Sequence, residues 1–407
     1  MVGGGAAGLL AAGTAARRGL SVTVIERNDR MARKVMITGK GRCNLTNQTD
    51  LDGLLRNIPQ NGRFLYAAFS SFGTAEVMAL FEELGVPLKV ERGARVFPVS
   101  DRAVDVVDAL VRYARSGGVK FVKGRAAHIQ VKDGCVSDLE LEDGRLLPTS
   151  SLILCTGGVS YPATGSTGDG YTMARELGHT VTALGPSLVP VEVQEGFCSQ
   201  LQGLSLKNVT LTLFDTKKNK PVFSELGEML FTHYGLSGPL VLSASAHMRP
   251  MEPLRYRVCI NLKPGLTSQQ LDNRLQRDLA QFSNRDFRNC LDALLPQKLI
   301  PVILRQSGIP PVLKANQVTR EMRYKLIELL QNLSFGITKL RPVEEAVVTT
   351  GGVSVKQINP STMQSKLVKG LYFAGEIIDV DAYTGGYNLQ IAFSTGHLAG
   401  SHAGEED

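Results

Sequence analysis

"VGGGAAGLLAAGTAARRGLSVTVIE", Val2 to Glu26, sets the architecture. Gly3, Gly5 and Gly8 satisfy G-x-G-x-x-G, Ala6 to Arg18 reads as a helix of small residues, and "SVTVIE" is a β-branched strand ending on an acid. A glycine turn, a helix and a strand in that order are the context in which this motif means a dinucleotide site. Bare backbone there makes the turn, admits a pyrophosphate and lets helix pack on strand, while the helix N-terminus favours phosphate. Glu26 lies about 20 residues beyond the glycines, where a carboxylate accepts ribose hydroxyls and repels a 2′-phosphate. FAD or NAD therefore fits better than NADP.

One departure lies just upstream. A first strand carries about five apolar residues, and here only Met1 and Val2 precede the glycines. The expectation is a start further upstream or a stunted central strand, with the former preferred. A secretory leader is not expected, because Arg17 and Arg18 follow the apolar run instead of preceding it.

Composition sets the outer limits. The 407 residues, 43% apolar and 20% charged, suit a globular chain of two or three domains. No run of about 18 apolar residues appears, so no membrane span is expected. The six cysteines form no CxxC pair and the six histidines no metal-ligand spacing. Reduced thiols in a cytoplasmic protein are the simplest reading, with no metal. Net charge is +7, and residues 264–342 hold twelve Lys or Arg against six Asp or Glu. Such an excess fits solvated helices and also an RNA-binding face.

Downstream segments extend the pattern. "RKVMITGKGRCNLTNQ" (Arg33 to Gln48) is a glycine-rich cationic loop suited to a phosphate or a flavin edge. "GVKFVKG", "AHIQVKDG" and "VSDLELEDGRLLP" read as three strands of one meander with Asp-Gly turns. A buried strand, Ser151 to Cys155, then runs into Thr156-Gly157-Gly158. Near the other end, a strand from Leu371 to Ala374 leads into Gly375-Glu376, and Gly385-Gly386 opens a helix from Asn388 to Ala399. An acid after a strand can hold a ribityl chain, and a helix N-terminus can face the N1–C2 edge of a flavin. A site drawing on both ends of the chain is what the longer FAD requires.

These blocks, with "ERGARVFPVSD", "ILCTGGVSYPATGSTGDGY", "GEMLFTHYGLSGP" and "YFAGEIIDVDAYTGGYNLQIAFSTG", make the chain resemble the BaiN/YhiN-like FAD flavoproteins, also labelled the aminoacetone-oxidase family. The resemblance runs from Val2 to Gly396. It implies an α/β fold: a discontinuous Rossmann-like FAD-binding domain, residues 1–186 and 353–407, of the glutathione-reductase-like class. A small β-barrel insert (187–263 and 335–352) and a helical cap (264–334) would interrupt it, with the strand near "EEAVVTTGGV" returning through the barrel. The FAD contacts it implies are Gly3, Gly5, Ala7, Gly8, Glu26, Arg33, Lys34, Gly39, Gly41, Arg42, Cys43 and Asn44. Further along they are Ala126, Thr156, Gly157, Gly158, Gly375, Glu376, Asn388, Leu389 and Gln390.

A proton donor over the flavin must be titratable. Cys43, Tyr161, His233 and Tyr387 are candidates, with Tyr234 and Tyr383 beside them. Arg42 next to Cys43 would lower its thiol pKa, although packing explains Cys43 equally well. A lone His233 in an apolar stretch is more often a core residue than a catalyst. No second G-x-G-x-x-G is present, so NADH or NADPH, as electron donor, would visit without a fingerprinted domain of its own. Three reactions remain. One is reduction of a conjugated C=C bond of a small molecule, such as the keto-steroid or bile-acid enones the resemblance implies. The others are reduction of an RNA uridine through the basic insert, and oxidation of an amine by oxygen.

Overall fold

The computed structural model describes residues 1–405. The chain divides into two compact units, 1–187 with 342–407, and 188–341.

The first unit is built on a parallel sheet. Thr23–Glu26 pairs with Lys120–Lys123, and Leu152–Leu154 pairs with Leu371–Phe373, all in parallel. Val2 joins the two halves, bridging Ile25 on one side and Leu154 on the other. Numbered along the chain, the strand order is 3-2-1-4-5, the doubly wound arrangement. The central strand is thus a single bridged residue, held by hydrogen bonds from Val2 N to Ile153 O and from Cys155 N to Val2 O, both 2.9 Å.

Small residues govern the helix packing. Ala6–Arg17 and Tyr387–His402 cross closely enough that a Cβ on Gly396 would lie 2.5 Å from Ala7 O, and one on Gly400 equally near Ala11 O. Glycine at those two sites lets the backbones touch, so the two ends of the sequence meet in one layer. Ala103–Ser116 packs against the first helix as well, with Arg17 lying 3.7 Å over the Tyr113 ring.

Two sequence expectations change here. Lys120–Lys123 is the third parallel strand and not part of the meander, which comprises only Ala126–Lys132, Cys135–Leu141 and Leu146–Pro148. Alternation alone could not separate a short edge strand from a hairpin arm. Likewise, Val348–Thr350 does not return through the barrel: it pairs antiparallel with Gly185–Ser187 inside the first unit. The return boundary therefore falls at Pro342 instead of 353.

The second unit is a closed six-stranded barrel. Around it the order is Val191–Val193, Gly235–Ser237, Lys220–Phe231, Ser205–Asp215, Tyr256–Asn261 and Leu333–Leu340, which closes back on the first. Alternating residues Leu211, Leu213, Val258, Ile260, Phe335 and Ile337 are buried, as a barrel requires. The helical stretch is not a separate body: it belongs to the same unit, with Leu262 N bonded to Leu330 O at 2.9 Å. Its helices Ser268–Gln281 and Arg320–Gln331 start where Thr267 and Thr319 cap them, the hydroxyls accepting from the N–H of Gln270 and Met322. Between them, "RNCLDALLPQKLIPVILRQ" is α-helical only from Ile300 onward, in the helix Ile300–Ser307. Among the described residues no single helix is long and apolar enough to cross a membrane.

Candidate active site

A groove runs through the first unit at the carboxyl ends of the parallel strands, where ligands bind in open α/β sheets. Its floor is the first glycine loop. Gly3 has φ +105°, and a Cβ there would sit 2.5 Å from Cys155 O. Gly5 and Ala7 also line the groove. Gly8 does not: its missing side chain makes room for the Gly3 carbonyl, so its role is to tighten the turn.

Glu26 lies in the groove wall and is 8% exposed. Its Oε2 accepts from Gly4 N at 2.8 Å, and its Oε1 from Asn28 N at 2.8 Å and Asn28 Nδ2 at 2.7 Å. A carboxylate offers about four acceptor positions, so one remains for a ribose hydroxyl. Ala126 lines the same end of the groove.

The opposite end is organised differently. Glu376, on the 3₁₀ turn after Leu371–Phe373, takes Lys34 Nζ on both oxygens (2.7 and 3.0 Å), Ser160 Oγ at 3.1 Å and Thr349 N at 2.8 Å. Lys34 also donates to Ser160 Oγ at 2.6 Å. Three of these bonds fall on Oε1 and one on Oε2, so the carboxylate is held by the protein and keeps an acceptor position on Oε2; Lys34, Gly375 and Glu376 all line the groove. Gly158 belongs to this knot: a Cβ there would stand 2.7 Å from Thr349 Cβ and 3.0 Å from Glu376 Oε1. Asn388 and Leu389, at the N-terminal turn of the last helix, line the groove as well. The Asn388 side chain pins the preceding loop, accepting from Ala382 N at 2.9 Å and donating to Ala382 O at 2.8 Å.

Several expected contacts lie elsewhere. Gln390 is fully buried, its Oε1 accepting from Thr46 Oγ1 and its Nε2 donating to Phe72 O and Ser394 Oγ. Its neighbours take its amide, so it braces the helix. Arg42 turns to Glu91 and Asp101 and lies 4.2 Å over the Phe97 ring. Cys43 is completely buried, and burial pushes its thiol up to about 12. The expectation of an Arg42-activated thiolate is thus corrected: the guanidinium is engaged elsewhere and desolvation wins. Gly39, Gly41, Cys43 and Asn44 form a left-handed loop beside the groove, with φ of +58°, +84° and +63° at the first three. Asn44 Oδ1 is buried there without a hydrogen-bond partner, as is Thr156 Oγ1 in the groove lining. Arg33 and Gly157 line the groove too.

Of the other candidate proton donors, Tyr387 begins the last helix immediately before Asn388, and Tyr161 sits half-buried with φ +49°. His233 belongs to the second unit, exposed on the barrel, its ring 4.8 Å from that of Tyr234. The sequence reading missed Arg27, Asn28, Arg125 and Asp169, all groove-lining. For Asp169 the signal available was the glycine-rich "TGSTGDG" that contains it.

The HI0933-like protein Rossmann domain matches residues 1–402. The chain belongs to this family. It is a family of Rossmann-type FAD-dependent oxidoreductases. The chain is 31% identical, over 100% of its length and 98% of the relative, to a 3-dehydro-bile acid delta(4,6)-reductase of Clostridium scindens. It is likewise 31% identical to the ribosomal RNA dihydrouridine synthase of Escherichia coli, over 97% of this chain and 95% of that one. An E. coli quinol fumarate reductase superposes with a TM-score of 0.51 at 16% identity, covering 98% of this chain and 68% of the other, a likeness of fold. FAD fits the groove on its own terms: the Gly3 cradle excludes a Cβ, Glu26 keeps an acceptor position, and Thr156 Oγ1 is an orphan in the lining.

Proposed function

We propose that the chain reduces an electron-poor C=C bond conjugated to a carbonyl, using electrons from NADH or NADPH, with a small enone of the keto-steroid or bile-acid type as substrate. The observation that carries this reading is the end-to-end match to a bile-acid reductase, set on a groove that accommodates FAD. When bound, FAD supplies hydride transfer at N5. The residues of the chain hold the nucleotide at Gly3, Gly5 and Glu26, exclude water, and deliver a proton to the substrate α-carbon while the β-carbon takes the hydride. Tyr387 is the donor we favour, because it starts the helix whose next two residues line the groove. Tyr161 stands behind it. The six free cysteines suit a reducing cytoplasm.

A second reading, reduction of an RNA uridine, has its own support. The uracil C5=C6 bond is also conjugated to a carbonyl, two relatives carry the dihydrouridine synthase name, and residues 264–342 are basic. Part of that basic excess is spent internally, however: Arg323 pairs with Asp272, Arg274 with Asp278 and Lys314 with Asp286.

Anaerobic reduction of the purified protein by NADH or NADPH, then reoxidation by an enone, by RNA lacking dihydrouridine, or by air, separates the readings. Rapid reoxidation by enones supports the first reading, and by RNA the second. Reoxidation by air alone, with hydrogen peroxide released, would overturn both in favour of an amine oxidase.

A further inference from the structure

The parallel neighbours Thr23–Glu26 and Lys120–Lys123 end side by side, and soon after each comes an arginine lining the groove, Arg27 and Arg125. One carboxylate takes both. Asp169 Oδ1 and Oδ2 accept from Arg125 Nη2 at 2.9 Å and Nε at 2.8 Å, a two-point bond, and Oδ2 accepts from Arg27 Nη1 at 3.0 Å. Arg27 also reaches Thr167 Oγ1 at 2.6 Å, and Asn28 Nδ2 donates to Thr164 O at 3.1 Å while holding Glu26. The segment 164–169 is thereby tied across the residues that follow Glu26. Its glycines match that path: Gly165 has φ +105°, and a Cβ there would sit 2.5 Å from Asn28 Nδ2.

We propose that Asp169 is a positioning residue for the cofactor, clasping Arg27 and Arg125 so that the segment 164–169 closes the nucleotide end of the groove beside Glu26. This rests on the FAD reading of the groove. Glu142 takes the remaining arm of Arg125 at 2.5 Å, so two cations meet two carboxylates and the cluster carries no net charge. It acts by holding a wall in place, not by attracting phosphate. The groups are partly exposed, with side-chain exposures of 24% for Asp169, 32% for Arg27 and 38% for Arg125, so salt weakens the clasp.

The test is the rate at which the holoprotein releases FAD, followed by the rise in flavin fluorescence, in the wild type and in Asp169→Asn. Loss of a charge-assisted two-point bond is expected to speed release roughly ten- to hundredfold. The wild-type rate should climb with salt while the variant's stays nearly flat, and Asp169→Glu should restore part of the slow release. The unfolding temperature of the cofactor-free protein should not change. Wild-type release from Asp169→Asn, or an equal loss of stability in the cofactor-free variant, would overturn the clasp. A wild-type chain that takes up no FAD overturns instead the reading of the groove, and the two failures are told apart by the colour of the wild-type protein.

Discussion

The two ends of the groove each present a glutamate at the end of a parallel strand or just after it, and the structure holds them differently. Glu26 makes three short-range hydrogen bonds, all to residues within its own loop or the glycine turn, and keeps an acceptor position. Glu376 makes four, to Lys34, Ser160 and Thr349, drawn from three distant parts of the chain. The first stands in the groove wall with room for one more donor. The second is a structural knot that fixes the groove wall. Each acid keeps an acceptor position on its Oε2, so the difference lies in what holds it: neighbours of one turn in the first case, partners from distant parts of the chain in the second.

The severest way to break this contrast is at the shared floor. Gly3→Val forces a side chain into Cys155 O and strains a φ of +105°. It should cost about 3 kcal/mol and abolish flavin retention, measured by thermal unfolding and visible absorption. Next comes the comparison itself. Glu26→Gln should weaken FAD binding by roughly ten- to a hundredfold, read by titrating the cofactor-free protein. Glu376→Gln should lower stability by about 1–2 kcal/mol after allowance for solvent screening and weaken FAD binding less than Glu26→Gln does. If the order of the two effects on affinity is reversed, the distinction between ligand and knot is lost.

A smaller effect concerns pH. His179 donates to or accepts from Ser365 Oγ at 2.8 Å, and burial lowers its pKa below the ordinary imidazole value. The native state thus binds fewer protons than the unfolded chain, so this stability is full above about pH 6.5 and is lost as pH falls below it. His179→Gln should flatten that slope in unfolding curves taken between neutral and mildly acid pH. Smallest of all, Cys43→Ala should leave turnover within about twofold, because a buried thiol raised to about 12 supplies no thiolate. Loss of turnover with the fold intact would restore Cys43 as a catalyst.

Local chemistry made the nucleotide end readable. Gly3, Gly5, Gly8 and Glu26 announce themselves because their roles depend on backbone conformation and nearby spacing, and the family resemblance implied the discontinuous unit. Long-range partners hid the rest. That Glu376 is tied into the groove wall depends on Lys34 lying 342 positions away, and Gln390 is used up by Thr46 and Phe72. The strand Lys120–Lys123 looked like a hairpin arm because four residues carry no mark of a parallel partner. Val348–Thr350 was placed in the barrel because composition does not say which sheet a three-residue strand joins. Asp169 lay inside a quoted motif, yet its function depends on two arginines that only the fold brings together.

The most direct test is to purify the chain, record its visible spectrum and identify what denaturation releases. The account predicts a yellow protein yielding one FAD per chain. A colourless protein that takes up no FAD when it is supplied, or one that yields FMN instead, would contradict it.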